Sequence, residues 1–175
     1  MLADVLAQLG RTEDAREAFE ALAAADFEVH VEMQWLVSLS LMPELCRYLR
    51  DPGRAETLYE ALRPYARHNA TTPPELCLGS VSRGLGILAA TMSNWDAATG
   101  HFDDALEMNA AMGARPWIAH TQYDYGCMLL ARDHRGDRER AQELATAARA
   151  LSDDLGMQAL SGSVARLMRS EASVP

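Results

Sequence analysis

The sequence predicts an all-α fold built from antiparallel helical hairpins, and three observations lead there. Aromatic residues make up only 6% of the 175 residues, whereas a sheet sandwich would alternate aromatic and β-branched residues. One residue spacing recurs along the chain at a step of 40 to 43 residues. Turn signals separate apolar segments whose periodicity is helical. A repeat of this length is typical of a helical solenoid.

The repeat places a small residue four positions before a larger one. The small residues are Ala15, Ala55, Ala98 and Ala141. The residues four positions later are Phe19, Tyr59, Phe102 and, in the last copy, Ala145. Positions i and i+4 share one face of a helix. The alanine therefore lets a neighbouring helix approach closely, and the aromatic ring fills the space between the two helices.

Turns define where each motif helix begins. The predicted N-caps, whose side-chain oxygens would accept a first-turn amide, are Thr12, Asp51, Asn94 and Asp137. Pro52 suits the first turn of a helix because it has no amide hydrogen to satisfy.

Another apolar-periodic segment precedes each motif helix and would form the first helix of its hairpin. These segments are Leu2–Leu9, Val29–Leu49, Glu75–Met92 and Trp117–Ala131. Pro43 predicts a break in the second of them. We therefore expect one domain over residues 1–175, with repeats at about 1–27, 28–69, 74–112 and 115–156 and a capping helix at about 157–170.

Charge and composition argue against several classes of function. The net charge is −9, and all 16 basic residues are arginine. An acidic chain without a basic stripe would repel a nucleic-acid backbone, so we expect no direct nucleic-acid binding. No run of 18 uncharged apolar residues predicts a membrane span, and Met1 is followed by no cationic start or long apolar run. We expect a cytoplasmic protein whose three cysteines are reduced core thiols.

No motif indicates catalysis or a bound cofactor. The chain has no lysine, so a phosphate-binding Gly-x4-Gly-Lys loop is impossible. The five histidines lack metal-ligand spacing. His120 and Cys127 share a helical face, but seven residues separate them by about 10 Å along a helix. We therefore expect a non-enzymatic protein without a cofactor or metal.

The repeat resembles the tetratricopeptide consensus, which has small residues where two helices cross and an aromatic residue on the second helix. The residues that carry this resemblance are Gly10, Ala15, Phe19, Ala55, Tyr59, Gly86, Ala98, Phe102 and Ala141. The period is longer than usual. In this it is similar to the C-terminal helical-repeat regions of large bacterial regulators of the maltose-activator type, which join an ATPase module to a cyclase or DNA-binding domain. The resemblance implies a right-handed superhelix, a tetratricopeptide-like α-solenoid.

The resemblance also implies a concave groove lined by the first helix of each hairpin. The positions that would face it are Glu44, Arg47, Tyr48, Arg83, Ile87, His120, Tyr123 and Cys127. Arginines and tyrosines in such a groove would bind a carboxylate of a ligand bidentately and stack on an aromatic group. The alternative is that these are ordinary, partly exposed helix positions.

Three functions remain open on the sequence. The first is a protein-binding scaffold or the regulatory tail of a bacterial signalling or transcriptional regulator, which binds a protein, a peptide or another domain of that regulator. The second is a sensor of a small ligand or peptide, whose solenoid curvature controls a linked ATPase. The third is self-association into a homodimer through the N-terminal helix, whose apolar residues we expect to be partly uncovered: Leu2, Val5, Leu6 and Leu9.

Overall fold

The computed structural model of the chain describes residues 2–23, 35–72 and 76–172, and these residues are mostly helical. The first half contains α1 (Leu2–Gln8), α2 (Thr12–Ala23), α3 (Trp35–Ser40), α4 (Pro43–Leu49), α5 (Pro52–Leu62), a 3-10 turn (Arg63–Tyr65) and β1 (Asn69–Thr72). The second half contains β2 (Leu76–Ser80), α6 (Val81–Thr91), α7 (Trp95–Ala111), α8 (Arg115–Arg132), α9 (Asp137–Asp154) and α10 (Gln158–Ala172). The all-α expectation is thus confirmed at the level of helix content, apart from one short hairpin.

Neighbouring helices pack in pairs. Helices α1 and α2, α4 and α5, α6 and α7, and α8 and α9 contact each other. The turns that join the later pairs are short, so the paired helices run antiparallel. The first helices also contact one another in chain order, α1 with α4, α4 with α6, and α6 with α8. Helix α10 packs on α8 and α9, in agreement with the predicted closing helix.

The predicted break at Pro43 is confirmed. Helix α3 ends at Ser40 and α4 begins at Pro43, where proline occupies the first turn and needs no hydrogen-bond partner for its nitrogen. The predicted segment Val29–Leu49 therefore contains two short helices, and its residues 29–34 lie outside the described ranges.

The predicted helix over Glu75–Met92 is wrong at its start. Leu76–Ser80 forms β2, antiparallel to β1, with Thr71 opposite Cys77. Distant side chains hold this strand: the indole nitrogen of Trp117 donates to the carbonyl of Cys77 at 3.0 Å, and the Ser80 amide donates to Oδ1 of Asn109 at 3.1 Å. These contacts come from α7 and α8, so local periodicity did not reveal them.

Two of the four predicted N-caps are confirmed. Asp51 accepts the amide of Arg54 at 3.1 Å, and Asn94 accepts the amide of Ala97 at 3.4 Å. The prediction was wrong for Thr12, which lies inside α2 and whose hydroxyl pairs instead with that of Tyr48 at 2.8 Å. It was also wrong for Asp137, because Gly136 occupies the cap position.

The side chain of Asp137 serves the preceding turn. Its carboxylate accepts two hydrogen bonds from Arg132, at 2.7 and 2.9 Å, and one from the amide of His134 at 2.9 Å. The turn between α8 and α9 is therefore closed by a bidentate ion pair.

The repeat residues form the core between helices. The alanines and phenylalanines of the motif are at most 1% exposed: Ala15, Phe19, Ala55, Ala98, Phe102 and Ala141. Gly86 packs against the Phe102 ring so closely that a Cβ atom on residue 86 would lie 2.9 Å from carbons of the ring. Tyr59 differs, because it is only half-buried and its hydroxyl pairs with Nε2 of His101 at 2.9 Å. Gly10 supplies a turn residue with φ of +73°.

Two smaller expectations need correction. Cys77 was predicted as a core thiol, but it is exposed near the start of strand β2; Cys46 is buried and Cys127 half-buried. Val5 on α1 and Leu9, directly after it, are exposed as predicted, whereas Leu6 is only 8% exposed because it belongs to the core. The side chain of Leu2 lies outside the described residues.

Candidate binding groove

Asp124 is the centre of a buried charged cluster. It lies on α8, and its side chain is 1% exposed. Its Oδ1 accepts a hydrogen bond from Arg47 Nη1 at 2.6 Å, and its Oδ2 accepts one from Arg83 Nε at 2.8 Å. One carboxylate on α8 therefore links a guanidinium from α4 with another from α6.

Arg83 extends this cluster in two directions. Its Nη2 also donates to Glu44 on α4. Its guanidinium lies over the Trp117 ring at 5.6 Å from the ring centroid, a cation–π arrangement. Because the Trp117 indole donates to the backbone of Cys77, the β1–β2 hairpin fixes the surface on which Arg83 rests.

The charges in the cluster keep one another ionised. Burial alone would raise the pKa of Asp124, but the positive charges of Arg83 and Arg47 outweigh it and hold the pKa below its ordinary 3.8. Burial opposes the charged form of both arginines as well, and Asp124 outweighs it and raises their pKa values. The formal charges of Arg47, Arg83, Glu44 and Asp124 sum to zero.

Three other titratable side chains near Asp124, those of His120, Tyr123 and Cys127, are uncharged at neutral pH. Burial, followed by the charge of Arg83, lowers the pKa of His120 below 6.5; its ring lies 5.2 Å from that of Trp117. Burial raises the pKa of Tyr123 to about 12 and that of Cys127 to about 11. A thiol with such a pKa is protonated near neutral pH and is a weak nucleophile.

The cluster forms the floor of an open groove of about 730 Å³. One end of the groove is lined by Ala7 and Gln8 of α1. The other end is lined by residues of α10, namely Gln158–Leu160, Gly162, Ser163 and Arg166. Most of the residues predicted to face a groove line this one: Glu44, Arg47, Tyr48, Arg83, His120 and Tyr123. The first helices of the hairpins thus supply one continuous surface.

Two of the predicted groove residues lie elsewhere. Ile87 is 1% exposed, and with Cys127 it lines a second cleft. The expectation that arginines of the groove would bind the carboxylate of a ligand stays a prediction; in this structure Arg47 and Arg83 already form hydrogen bonds with the carboxylates of Asp124 and Glu44. Asp124 itself was not predicted as a site residue; the available signal was a lone acid on an apolar helical face.

Metal binding and membrane insertion find no support in the described residues. Within residues 2–23, 35–72 and 76–172, no group of three or more histidine, cysteine, aspartate or glutamate side chains is arranged to hold a metal ion. No helix in those same ranges combines the length and hydropathy needed to cross a membrane.

Comparisons with protein-family models, with curated proteins and with solved structures gave no match.

Proposed function

We propose that this chain is a non-enzymatic protein-binding module whose groove between α1 and α10 receives a segment of a partner protein. The observation that carries the proposal is the continuity of the groove. Helices α1, α4, α6 and α8, each from a separate hairpin, and helix α10 contribute residues to one open surface. A groove of this kind suits an extended or helical peptide, because each helix offers its own contacts along the length of the ligand.

Rigidity of the groove floor supports the proposal. Arg47, Arg83 and Glu44 are held by charge-assisted hydrogen bonds that converge on Asp124 or on one another. Such bonds are about twice as strong as those between neutral groups. A floor that is ordered before binding loses little conformational entropy when a ligand arrives, so more of the contact energy contributes to affinity.

One cation of the groove has no carboxylate partner. Arg166 on α10 is exposed and donates to Ser163 Oγ at 2.9 Å, and no acidic side chain of the described residues pairs with it. The cluster around Asp124 has no net formal charge, so Arg166 gives the groove one unbalanced positive charge within a chain of net charge −9. An acidic side chain of the partner near α10 would balance it.

We further propose that the module is a solenoid and serves as the regulatory tail of a bacterial signalling or transcriptional regulator. Its support is the resemblance of the repeat to tetratricopeptide-like helical regions, together with the contacts of each first helix with the next. In such a regulator, the partner segment would come from another protein or from a domain on the same chain.

Blocking the groove without disturbing the cluster tests the proposal. Ala159 is exposed, lines the groove and belongs to α10, so Ala159→Trp would place an indole in the path of the ligand. Partners are captured on the immobilised chain and identified by quantitative mass spectrometry. A specific partner should be lost from Ala159→Trp.

The matched control is Ala147→Trp. Ala147 is an exposed alanine of α9 that lines neither of the two clefts, so the same partner should be retained at the level of the unmodified chain. Equal retention by both variants would contradict a binding site in this groove, and equal loss would point to a general surface effect of tryptophan.

A further inference from the structure

The second cleft is a separate cavity on the other side of Asp124. It has a volume of about 440 Å³ and lies between the α4–α5 turn, α6, the start of α7 and α8. Arg47 and Asp124 line both the groove and this cleft, so the charged cluster separates them. The volume falls within the range of about 300–1,000 Å³ that is usual for small-molecule sites.

Most of the wall of this cleft is apolar. The side chains of Ile87, Ala90, Trp95, Phe102, Met128 and Ala131 contribute to it. Two polar side chains also line the cleft, those of Thr91 and Cys127, and both are uncharged. The hydroxyl of Thr91 donates to the carbonyl of Ile87 at 2.8 Å, and the raised pKa of Cys127 keeps its thiol protonated. The body of a fitting ligand would therefore be apolar.

The α4 side of the cleft is cationic. Asp124 balances Arg47, with which it forms a 2.6 Å hydrogen bond. Arg50 also lines the cleft, is exposed, and pairs with no carboxylate of the described residues. The backbone at Arg50 is left-handed, with φ of 52°. It ends α4, where the Arg50 amide donates to the carbonyl of Arg47 at 3.2 Å and the Asp51 amide donates to the carbonyl of Cys46 at 3.1 Å. The helix end therefore fixes the backbone of residue 50 beside the cleft, and the guanidinium of Arg50 adds one positive charge that no carboxylate of the described residues balances.

We propose that this cleft binds a small molecule with an apolar body and a single carboxylate. The apolar wall accepts the body, and the carboxylate pairs with the guanidinium of Arg50 at the rim. Binding here does not require a protein partner in the groove, so this proposal is independent of the proposed function. Because Asp124 and Arg47 are shared by both cavities, a ligand in the cleft contacts the same cluster that forms the groove floor.

Octanoate is the probe, with octan-1-ol and octylamine as uncharged and cationic analogues of the same chain length. Isothermal titration calorimetry measures binding of each to the full chain. We expect octanoate to bind at one site per chain and the amine to bind at least about tenfold more weakly, since a hydrogen bond to a charged group contributes about that factor.

Two variants and a control locate the site. Arg50→Gln should weaken octanoate binding by about tenfold and remove its preference over octan-1-ol. Ala131→Trp should abolish binding of both, because residue 131 is exposed and lines the cleft. Arg67→Gln alters an exposed arginine that lines neither cavity and should change nothing. Circular dichroism establishes that each variant is folded.

Three results would overturn the proposal. The first is the absence of saturable octanoate binding below its micellar range. The second is octanoate binding that neither Arg50→Gln nor Ala131→Trp reduces, which would place it elsewhere. The third is equal affinity for octanoate and octan-1-ol in the unmodified chain, which would remove the role of the carboxylate.

Ala159→Trp, which blocks the groove, should leave octanoate affinity unchanged.

Discussion

Arg83 and Asp124 lie 41 residues apart in the chain and meet in the interior, with Nε of the arginine 2.8 Å from Oδ2 of the aspartate. Their side chains are 9% and 1% exposed. Two charges removed from water in this way depend on each other, because either one alone would be costly to bury. This pair joins α6 to α8 and fixes the floor of the groove.

Asp124→Asn should destabilise the fold strongly. Loss of the carboxylate leaves Arg83 and Arg47 without their shared anion, and breaking a buried pair costs about 3–5 kcal/mol. Urea unfolding at neutral pH measures the loss. Asp154→Asn is the matched control, because Asp154 forms an exposed pair with Arg115 and such pairs contribute about 0–1 kcal/mol. Equal effects of the two substitutions would contradict the role assigned to Asp124.

Replacing Gly86 or Gly100 with alanine should change the stability of the fold in opposite directions. A Cβ on Gly86 would lie 2.9 Å from the buried ring of Phe102, so Gly86→Ala should cost about 1–3 kcal/mol by overpacking. Gly100 lies on α7 with open space around its Cα. Gly100→Ala should therefore stabilise the helix by about 0.5–1 kcal/mol. Thermal unfolding of both variants checks the difference in sign.

The aromatic residues of the repeat should differ in their contribution to stability. Phe102 is 1% exposed and stacks on Tyr125 with ring centroids 5.2 Å apart, so Phe102→Ala should cost about 3–5 kcal/mol. Phe19→Ala should cost a similar amount, since Phe19 is equally buried. Tyr59→Phe removes only a hydrogen bond and should cost about 1 kcal/mol. Denaturant midpoints measure all three, and a cost below about 1 kcal/mol for either phenylalanine would invalidate the repeat alignment.

Stability should fall in two steps as the pH is lowered. Burial lowers the pKa values of His101 and His120 below 6.5. Between about pH 7 and 5 the unfolded chain therefore binds protons that the folded chain does not, which favours unfolding. The pKa of Asp124 is also held below 3.8, so the stability it provides is present above that pH and is lost as the pH falls through its folded value.

Urea unfolding as a function of pH measures both steps. His120→Gln should flatten the first step and leave the second in place. An unchanged first step in that variant would show that the histidine does not contribute to it.

Self-association through α1 has its own test. Val5 and Leu9 are 49% and 68% exposed, so the dimer alternative predicts a mass that rises with concentration in multi-angle light scattering. Val5→Ser with Leu9→Ser should abolish that rise. Leu76→Ser, at an apolar position of β2 that is 44% exposed, should not. A monomer at every concentration would rule out the alternative.

The sequence predicted those parts of the fold that depend on local pattern. The Ala-x3-aromatic spacing placed Phe19 and Phe102 in the core, and Pro43 marked the break between α3 and α4. The β1–β2 hairpin was missed because both strands are short and Leu76–Ser80 runs directly into the apolar pattern of α6. The bonds that hold that strand come from Asn109 and Trp117.

The candidate site was predicted only in part for a similar reason. The resemblance to tetratricopeptide hairpins implied that Glu44, Arg47, Arg83 and His120 share one surface, but it gave no partner to the arginines. Asp124 is 77 residues from Arg47 and 41 from Arg83, and only the packing of α4, α6 and α8 brings the three together. The sequence alone does not distinguish an arginine that binds a ligand from an arginine that forms an ion pair inside the fold.

Site-specific photocrosslinking tests directly whether a partner protein binds in the groove between α1 and α10. A photoreactive phenylalanine analogue is placed at residue 159, on the α10 wall of the groove, or at residue 147 on the outer face of α9, and partners are crosslinked in the host cell. If the groove binds the partner, residue 159 should give a discrete adduct with one partner and residue 147 should give none. An adduct from residue 147 alone, or the absence of any adduct from residue 159, would contradict a binding site in the groove.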